Sequence, residues 1–171
     1  MKFTKSALLV GVLQLALATG AYAQSSLDAI KSAGVLKIGT EGTYAPFTYH
    51  DASGKLVGFD VEIGETIAKK IGVKAEFVEG KWDGLIAGID AKRYDVVINQ
   101  VSVSAERQAK YDFSTPYIAS KAVGLVKSDS PIASFADLKG KKAAQSLTSN
   151  FGKLAQQAGA ELVATDGFNQ S

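Results

Sequence analysis

The sequence predicts an α/β protein with an open, parallel-paired sheet. Three observations carry that expectation. Strand-like and helix-like apolar patterns alternate from Val35 to Ile98, and strands joined by a helical crossover pair in parallel. Three polar loops, Glu41–Phe47, Gly80–Asp83 and Asn99–Arg107, each come after a strand, which brings them to the rim where such sheets bind ligands. After Pro116 a second block of strand and helix patterns begins, so a fresh sheet starts there.

In chain order, Leu27 to Ala33 reads as a short helix that ends at Gly34. Val35 to Thr40 (V-L-K-I-G-T) alternates and is apolar enough for a central strand. Glu41 to Pro46 is a loop. Phe47–His50 and Leu56–Phe59 form a hairpin about the turn Asp51-Ala52-Ser53-Gly54. Asp60 is placed to cap a helix that runs to Ile71, with Ile63, Ile67, Ala68 and Ile71 on its inner face. Val73–Val78 is the next strand. Trp82–Arg93 reads as one helix with Leu85, Ile86 and Ile89 turned inward, and Asp95–Ile98 as another strand.

In the second block, Ala122–Val126 reads as a strand that Pro131 ends, and Ser134–Leu138 as a short helix. Gly140–Ala144 leads into a strand. The loop Gln145–Asn150 opens a helix that runs to Ala158, Leu162–Ala164 is a strand, and Asp166 starts a further helix. This block is too short to bury a comfortable core alone, so the chain reads as part of a two-lobed protein.

The first 23 residues read as a secretory signal peptide. Lys2 and Lys5 give the positive start, Ala7–Ala18 the apolar stretch, and Ala21-Tyr22-Ala23 a small-x-small cleavage site before Gln24. Gln14 interrupts the apolar run, which is short for a membrane span. Without Lys2 and Lys5 the 19 basic residues fall to 17, which balances the 17 acidic ones. With no block of like charge, nucleic acid and anionic membrane are poor partners. The absence of cysteine excludes disulfides, thiol catalysis and a lipid-modified cysteine. One histidine, His50, beside Asp51 in a turn, reads as solvated, and no metal site is expected. Walker and G-x-S-x-G motifs are absent.

The stretch Asp95–Ile118, D-V-V-I-N-Q-V-S-V-S-A-E-R-Q-A-K-Y-D-F-S-T-P-Y-I, is the richest in chemistry. The buried strand Val96-Val97-Ile98 runs into Asn99, Gln100, Ser102 and Ser104 and then reaches Arg107. Neutral hydrogen-bonding groups with a planar, always-charged fork suit a carboxylate. The bland alternative for Arg107 is a surface ion pair with Glu106 or Asp112. Thr148 and Ser149 open a helix, where free amides offer a second carboxylate seat; ordinary capping is the alternative. Tyr44 and Trp82 are rim aromatics, suited to a side-chain stem or a cation, or else to core packing. Glu41 offers an acceptor to an ammonium group, or is a solvated loop carboxylate.

With E-G-T-Y-A-P-F, K-W-D-G-L and V-I-N-Q-V, this stretch resembles the signature of the periplasmic solute-binding proteins of family 3, which feed polar amino acids to ABC importers. The resemblance covers Leu27 to Ser171 and implies a type II periplasmic binding fold, two lobes each with an open mixed sheet. Residues 24–118 then belong to the first lobe and residues 119–171 to an incomplete second one. Arg107 takes the place of the arginine that grips the ligand's α-carboxylate, and Asn99, Gln100 and Ser102 add hydrogen bonds. The resemblance places a further carboxylate, for the ligand's amino group, and the return crossing beyond Ser171. Asn-Gln stands where binders of basic amino acids have Ser-Ser, and the run looks closest to the cystine-binding branch. The resemblance thus implies a periplasmic, monomeric, non-enzymatic binder that needs no cofactor and hands a polar amino acid, cystine first, to an inner-membrane ABC permease. The alternatives are a cyclohexadienyl or arogenate dehydratase-like enzyme on the same scaffold and the sensor lobe of a signalling protein.

Overall fold

The structure, a computed structural model, describes residues 26–171; the expected signal peptide and its cleavage after Ala23 lie outside the described residues. Helix α1 (Ser26–Ala33) leads into β1 (Val35–Thr40). Three short strands, β2 (Thr43–Tyr44), β3 (Thr48–His50) and β4 (Leu56–Val57), form an antiparallel ribbon in the order β2-β3-β4. Helix α2 (Phe59–Ile71) then returns the chain to β5 (Lys74–Glu79). Two helical turns, α3 (Trp82–Leu85) and α4 (Ala87–Asp90), precede β6 (Val96–Val97), and α5 (Ala105–Gln108) comes after it. β1 lies between β5 and β6, parallel to both, and Ile38 is in register with Phe77 and Val96. This is the parallel crossover arrangement that the alternating pattern predicts.

The core gathers on β1. Leu36, Ile38, Ala68 and Ile98 are buried together, with Ile30, Ile63, Ile71, Val73, Phe77 and Val96 packed around them. The inner face of α2 is Val61, Gly64 and Ala68, flanked by Ile63 and Ile71. Ile67, expected on that face, is exposed: the helix approaches the sheet through Gly64 and Ala68, which leaves Ile67 at its edge. Asp60 does not cap this helix. Gly58 stands at the cap with φ 126°, and a side chain there would meet the Phe47 carbonyl oxygen at 2.4 Å. Asp60 therefore falls inside the first turn and is buried.

The stretch Trp82–Arg93, expected as one helix, is two turns hinged at Ile86. Tyr94 explains the break. Its buried hydroxyl donates to the Leu85 carbonyl, which a continuous helix would use for the Ile89 amide. The Ile89 amide turns to Ile86 instead, at 3.1 Å. The Tyr94 ring fits only because Gly39 and Gly88 leave room: a Cβ would lie 2.6 Å from it at the first and 2.0 Å from its hydroxyl at the second.

In the C-terminal part, a 3-10 turn (Phe135–Leu138) precedes β7 (Lys142–Gln145), α6 (Asn150–Gln157) and β8 (Glu161–Ala164). β7 and β8 pair in parallel, with Gly152 and Ala155 of α6 turned inward. The helix expected from Asp166 is a short 3-10 turn, Phe168–Gln170. Ala122–Val126 is not a strand. Val123 is 83% and Leu125 98% exposed, and among the described residues no strand pairs with the segment, so its β-forming side chains have no ladder to join. Within the described residues no helix is long and apolar enough to cross a membrane.

Candidate functional site

The carboxyl ends of β1 and β6 meet at Asn99, which is 1% exposed. Its Oδ1 accepts from the Glu41 amide at 2.8 Å and the Thr40 hydroxyl at 3.0 Å, and its Nδ2 donates to Glu41 Oε2 at 2.7 Å. The Thr40 and Thr48 hydroxyls lie 2.8 Å apart beneath them. The Asn99 side chain therefore holds the Glu41 loop in place. Glu41 is buried rather than solvated, and burial pushes its carboxyl up, against the Asn99 hydrogen bond that lowers it; the nearby charge of Asp83 adds to the rise.

Gln100 adopts a left-handed backbone, φ 52°. Its Nε2 donates to Asp60 Oδ1 at 2.7 Å, and the Tyr117 hydroxyl donates to the same oxygen at 3.1 Å. The second Asp60 oxygen is buried and has no partner among the described residues. Burial raises the Asp60 carboxyl, partly offset by those two donors. It also raises the Tyr117 phenol, with the Asp60 charge contributing. Asp60 and Tyr117 are residues that sequence reasoning does not place here. Asp60 looks like a cap, and no local signal marks a carboxylate that serves a loop some forty positions away.

Arg107 belongs to the four-residue helix α5, whose N-cap Ser104 accepts from the Arg107 amide at 3.3 Å. Nη1 donates to the Ser102 carbonyl at 2.9 Å and Nη2 to the Thr148 carbonyl at 3.4 Å. The guanidinium carbon stands 5.4 Å from the centre of the Trp82 ring, within cation–π range. Neither Glu106 nor Asp112 pairs with it, since Glu106 bonds Lys153 instead. Burial draws the guanidinium below its ordinary value, and the Glu106 charge opposes this. The result is a half-buried cation whose hydrogen-bond partners among the described residues are carbonyls. The Trp82 indole N–H beside it is buried with no acceptor among the described residues.

The amides of Thr148 and Ser149, expected to be free, are taken. Asp83 Oδ1 accepts from the Thr148 amide and hydroxyl, both at 2.9 Å, and Oδ2 from the Leu147 amide at 3.4 Å. The Ser149 amide bonds the Ser146 carbonyl at 3.1 Å, closing a turn. Ser149 caps α6 through Phe151, and its hydroxyl donates to Gln145. So the loop precedes the helix by a residue, and Thr148 faces the rim while Ser149 serves the helix.

The Tyr44 ring sits 5.1 Å from Phe47 and 4.6 Å from Phe168 of the last 3-10 turn. Burial raises its phenol first, then the charges of Glu41 and Asp60. Beside it a cavity of about 420 Å³ is bounded by Glu41, Thr43, Glu79, Lys81, Asp166 and Gln170. It borders Glu41 but not Arg107. Lys81 pairs with Asp166 across its mouth. His50, expected to be solvated, bonds Glu79 at 3.1 Å and the Gly42 carbonyl at 3.2 Å. His50 remains exposed, as expected of a solvated turn residue, and these bonds come in addition because β3 carries it to the end of β5. A second depression of about 430 Å³ is lined by Val126–Ile132 and by none of these residues. Among the described residues no cluster of ligating side chains suits a metal ion.

The structure thus gathers Trp82, Ser102, Arg107 and Thr148 at one place, and Glu41 and Tyr44 at another. Asn99 underlies the second, and Gln100 reaches down to Asp60. Known proteins share much of this sequence. Residues 36–165 match the bacterial extracellular solute-binding proteins, family 3. A probable amino-acid ABC transporter-binding protein of Haemophilus influenzae is 52% identical over 97% of this chain and 64% of its own length. The L-cystine-binding protein TcyA of Bacillus subtilis is 52% identical over 83% of this chain and 53% of its own. The unliganded, open L-cystine solute receptor of Neisseria gonorrhoeae is 55% identical over 85% of this chain and 62% of its own, with a TM-score of 0.54. The chain spans less than two thirds of each relative, and its α/β architecture is that of type II periplasmic binding proteins. On the strength of that match across most of its residues, it belongs to the bacterial extracellular solute-binding proteins, family 3.

Proposed function

We propose that this chain is the ligand-binding part of a periplasmic component that captures a free polar amino acid, L-cystine first, and passes it to an ABC permease. The observation that carries this reading is Arg107: a half-buried guanidinium held by two carbonyls over an indole, with no carboxylate of its own. A half-buried cation with no carboxylate bonded to it carries a desolvation cost, and an incoming carboxylate relieves that cost with charge-assisted bonds. Ser102 borders the carboxylate, Gln100 supports that loop from Asp60 beneath, Trp82 borders the side chain beside Arg107, and Tyr44 and Glu41 face the rest of the ligand over the Asn99 support. Residues 24–118 form one lobe and residues 119–171 contribute to the other, whose Thr148–Ser149 loop closes on the ligand as the population shifts to the closed form. Names of the relatives support binding over catalysis, and two of them are cystine binders. No bond is made or broken in this reading, and no cofactor takes part.

Calorimetry with L-cystine on the complete protein and on Arg107→Ala tests it. The variant is expected to lose at least about 30-fold in affinity, since truncating one partner of a desolvated charge pair costs roughly 2–5 kcal/mol. Equal affinity in the two proteins refutes the role of Arg107.

A further inference from the structure

The geometry points to Asp83 as a built-in stand-in for the ligand's carboxylate, seated on the Thr148 loop and in competition with the ligand for it. This rests on the reading above and adds a residue that sets affinity. Three donors of that loop converge on one Asp83 carboxylate: the Thr148 amide, the Thr148 hydroxyl and the Leu147 amide. That is the donor set a bound carboxylate needs. Asp83 comes directly after Trp82 in the first turn of α3, and Trp82 lies under Arg107. Arg107 in turn bonds the carbonyl of Thr148. Both polar backbone groups of Thr148 are therefore clasped from the first part of the chain, the carbonyl by a cation and the amide by an anion.

The Thr148 N–H can serve one carboxylate at a time. A ligand whose carboxylate bridges Arg107 and the Thr148 loop takes the seat from Asp83, and the Thr148 carbonyl gives up its place on the guanidinium. The exchange can replace the three bonds that Asp83 accepts from the loop, while the bond from Arg107 to the Thr148 carbonyl is given up for one to the ligand. Asp83 thereby holds the loop near its working position and lowers the affinity by the fraction of time it occupies the seat.

The test is L-cystine affinity by calorimetry for the complete protein, Asp83→Ala, Asp83→Asn and Arg107→Ala. Asp83→Ala is expected to bind roughly threefold to tenfold more tightly, the gain from freeing a seat that is mostly occupied. Asp83→Asn keeps an acceptor but no charge and is expected to fall between. In amide NMR spectra of the ligand-free protein, Leu147 and Thr148 are expected to shift in both variants. Unchanged or weaker affinity in a folded Asp83→Ala overturns the stand-in while the Arg107 reading survives. Failure of the unaltered protein to bind overturns both.

Discussion

The region around β1 and the region around β7 and β8 are built on the same strand–helix–strand logic, yet they are held in different ways. β1 has a parallel neighbour on each side and a buried cluster of Leu36, Ile38, Ala68 and Ile98 beneath α2. The β7–β8 pair has two strands, and large apolar residues such as Phe151, Leu154 and Val163 remain more than 40% exposed. What anchors the second region is contact with the first: Asp83 on Thr148, Lys153 on Glu106, Lys81 on Asp166, and Phe168 on Tyr44. The first region is stabilised by its own burial, and the second by docking. Asp83 and Glu106 lie in the helical turns α3 and α5, Lys81 just before α3 and Tyr44 in the ribbon, so the docking surface overlaps the candidate site at Asp83 and Tyr44.

The sharpest way to break this comparison is to remove the same kind of atom from each region. Ile38→Ala, at a fully buried position, is expected to cost about 3–5 kcal/mol in denaturant unfolding. Leu162→Ala, the one half-buried position of the otherwise exposed β8, is expected to cost about 2 kcal/mol or less. Equal costs end the distinction. Next in size is Phe168→Ala, which removes the aromatic contact with Tyr44 and is expected to weaken docking by about 1 kcal/mol. Hydrogen exchange reads it: amides from Lys142 to Ala164 should exchange faster while those of β1 stay protected.

The smallest effect concerns charge. The Glu41 carboxyl is raised in the folded state, so its contribution to stability is present below about pH 4.5 and is lost as pH rises through its higher folded value. Glu41→Gln keeps an acceptor for Asn99 and removes the titration. Its melting temperature is expected to gain on that of the unaltered protein as pH rises from 4.5 to neutrality. A gap that stays constant with pH assigns the effect to packing instead.

The contrast between the regions also explains what can be read from residues alone. β1, α2 and β5 are long and strongly periodic, and their apolar spacing is enough to place them. The rim is legible too, because loops after parallel strands must emerge on one side. Arg107 stands out as a cation among neutral polar groups. What escapes depends on distant partners. Asp60 and Gln100 are forty positions apart, Asp83 and Thr148 sixty-five, and Tyr94 rewires Leu85 through a single hydroxyl. Ala122–Val126 has the composition of a strand, but pairing, not composition, makes one.

Tyr94 has a further consequence, for anyone who wishes to retune this protein. Its ring fills the space that side chains at positions 39 and 88 would need, so both are closed to every larger residue unless Tyr94 shrinks too. Single-site libraries there should yield only misfolded variants, whereas changes at the rim start from a scaffold already locked underneath. New ligand preferences are therefore reachable one step at a time from above, while the floor can be redesigned only by changing several residues together.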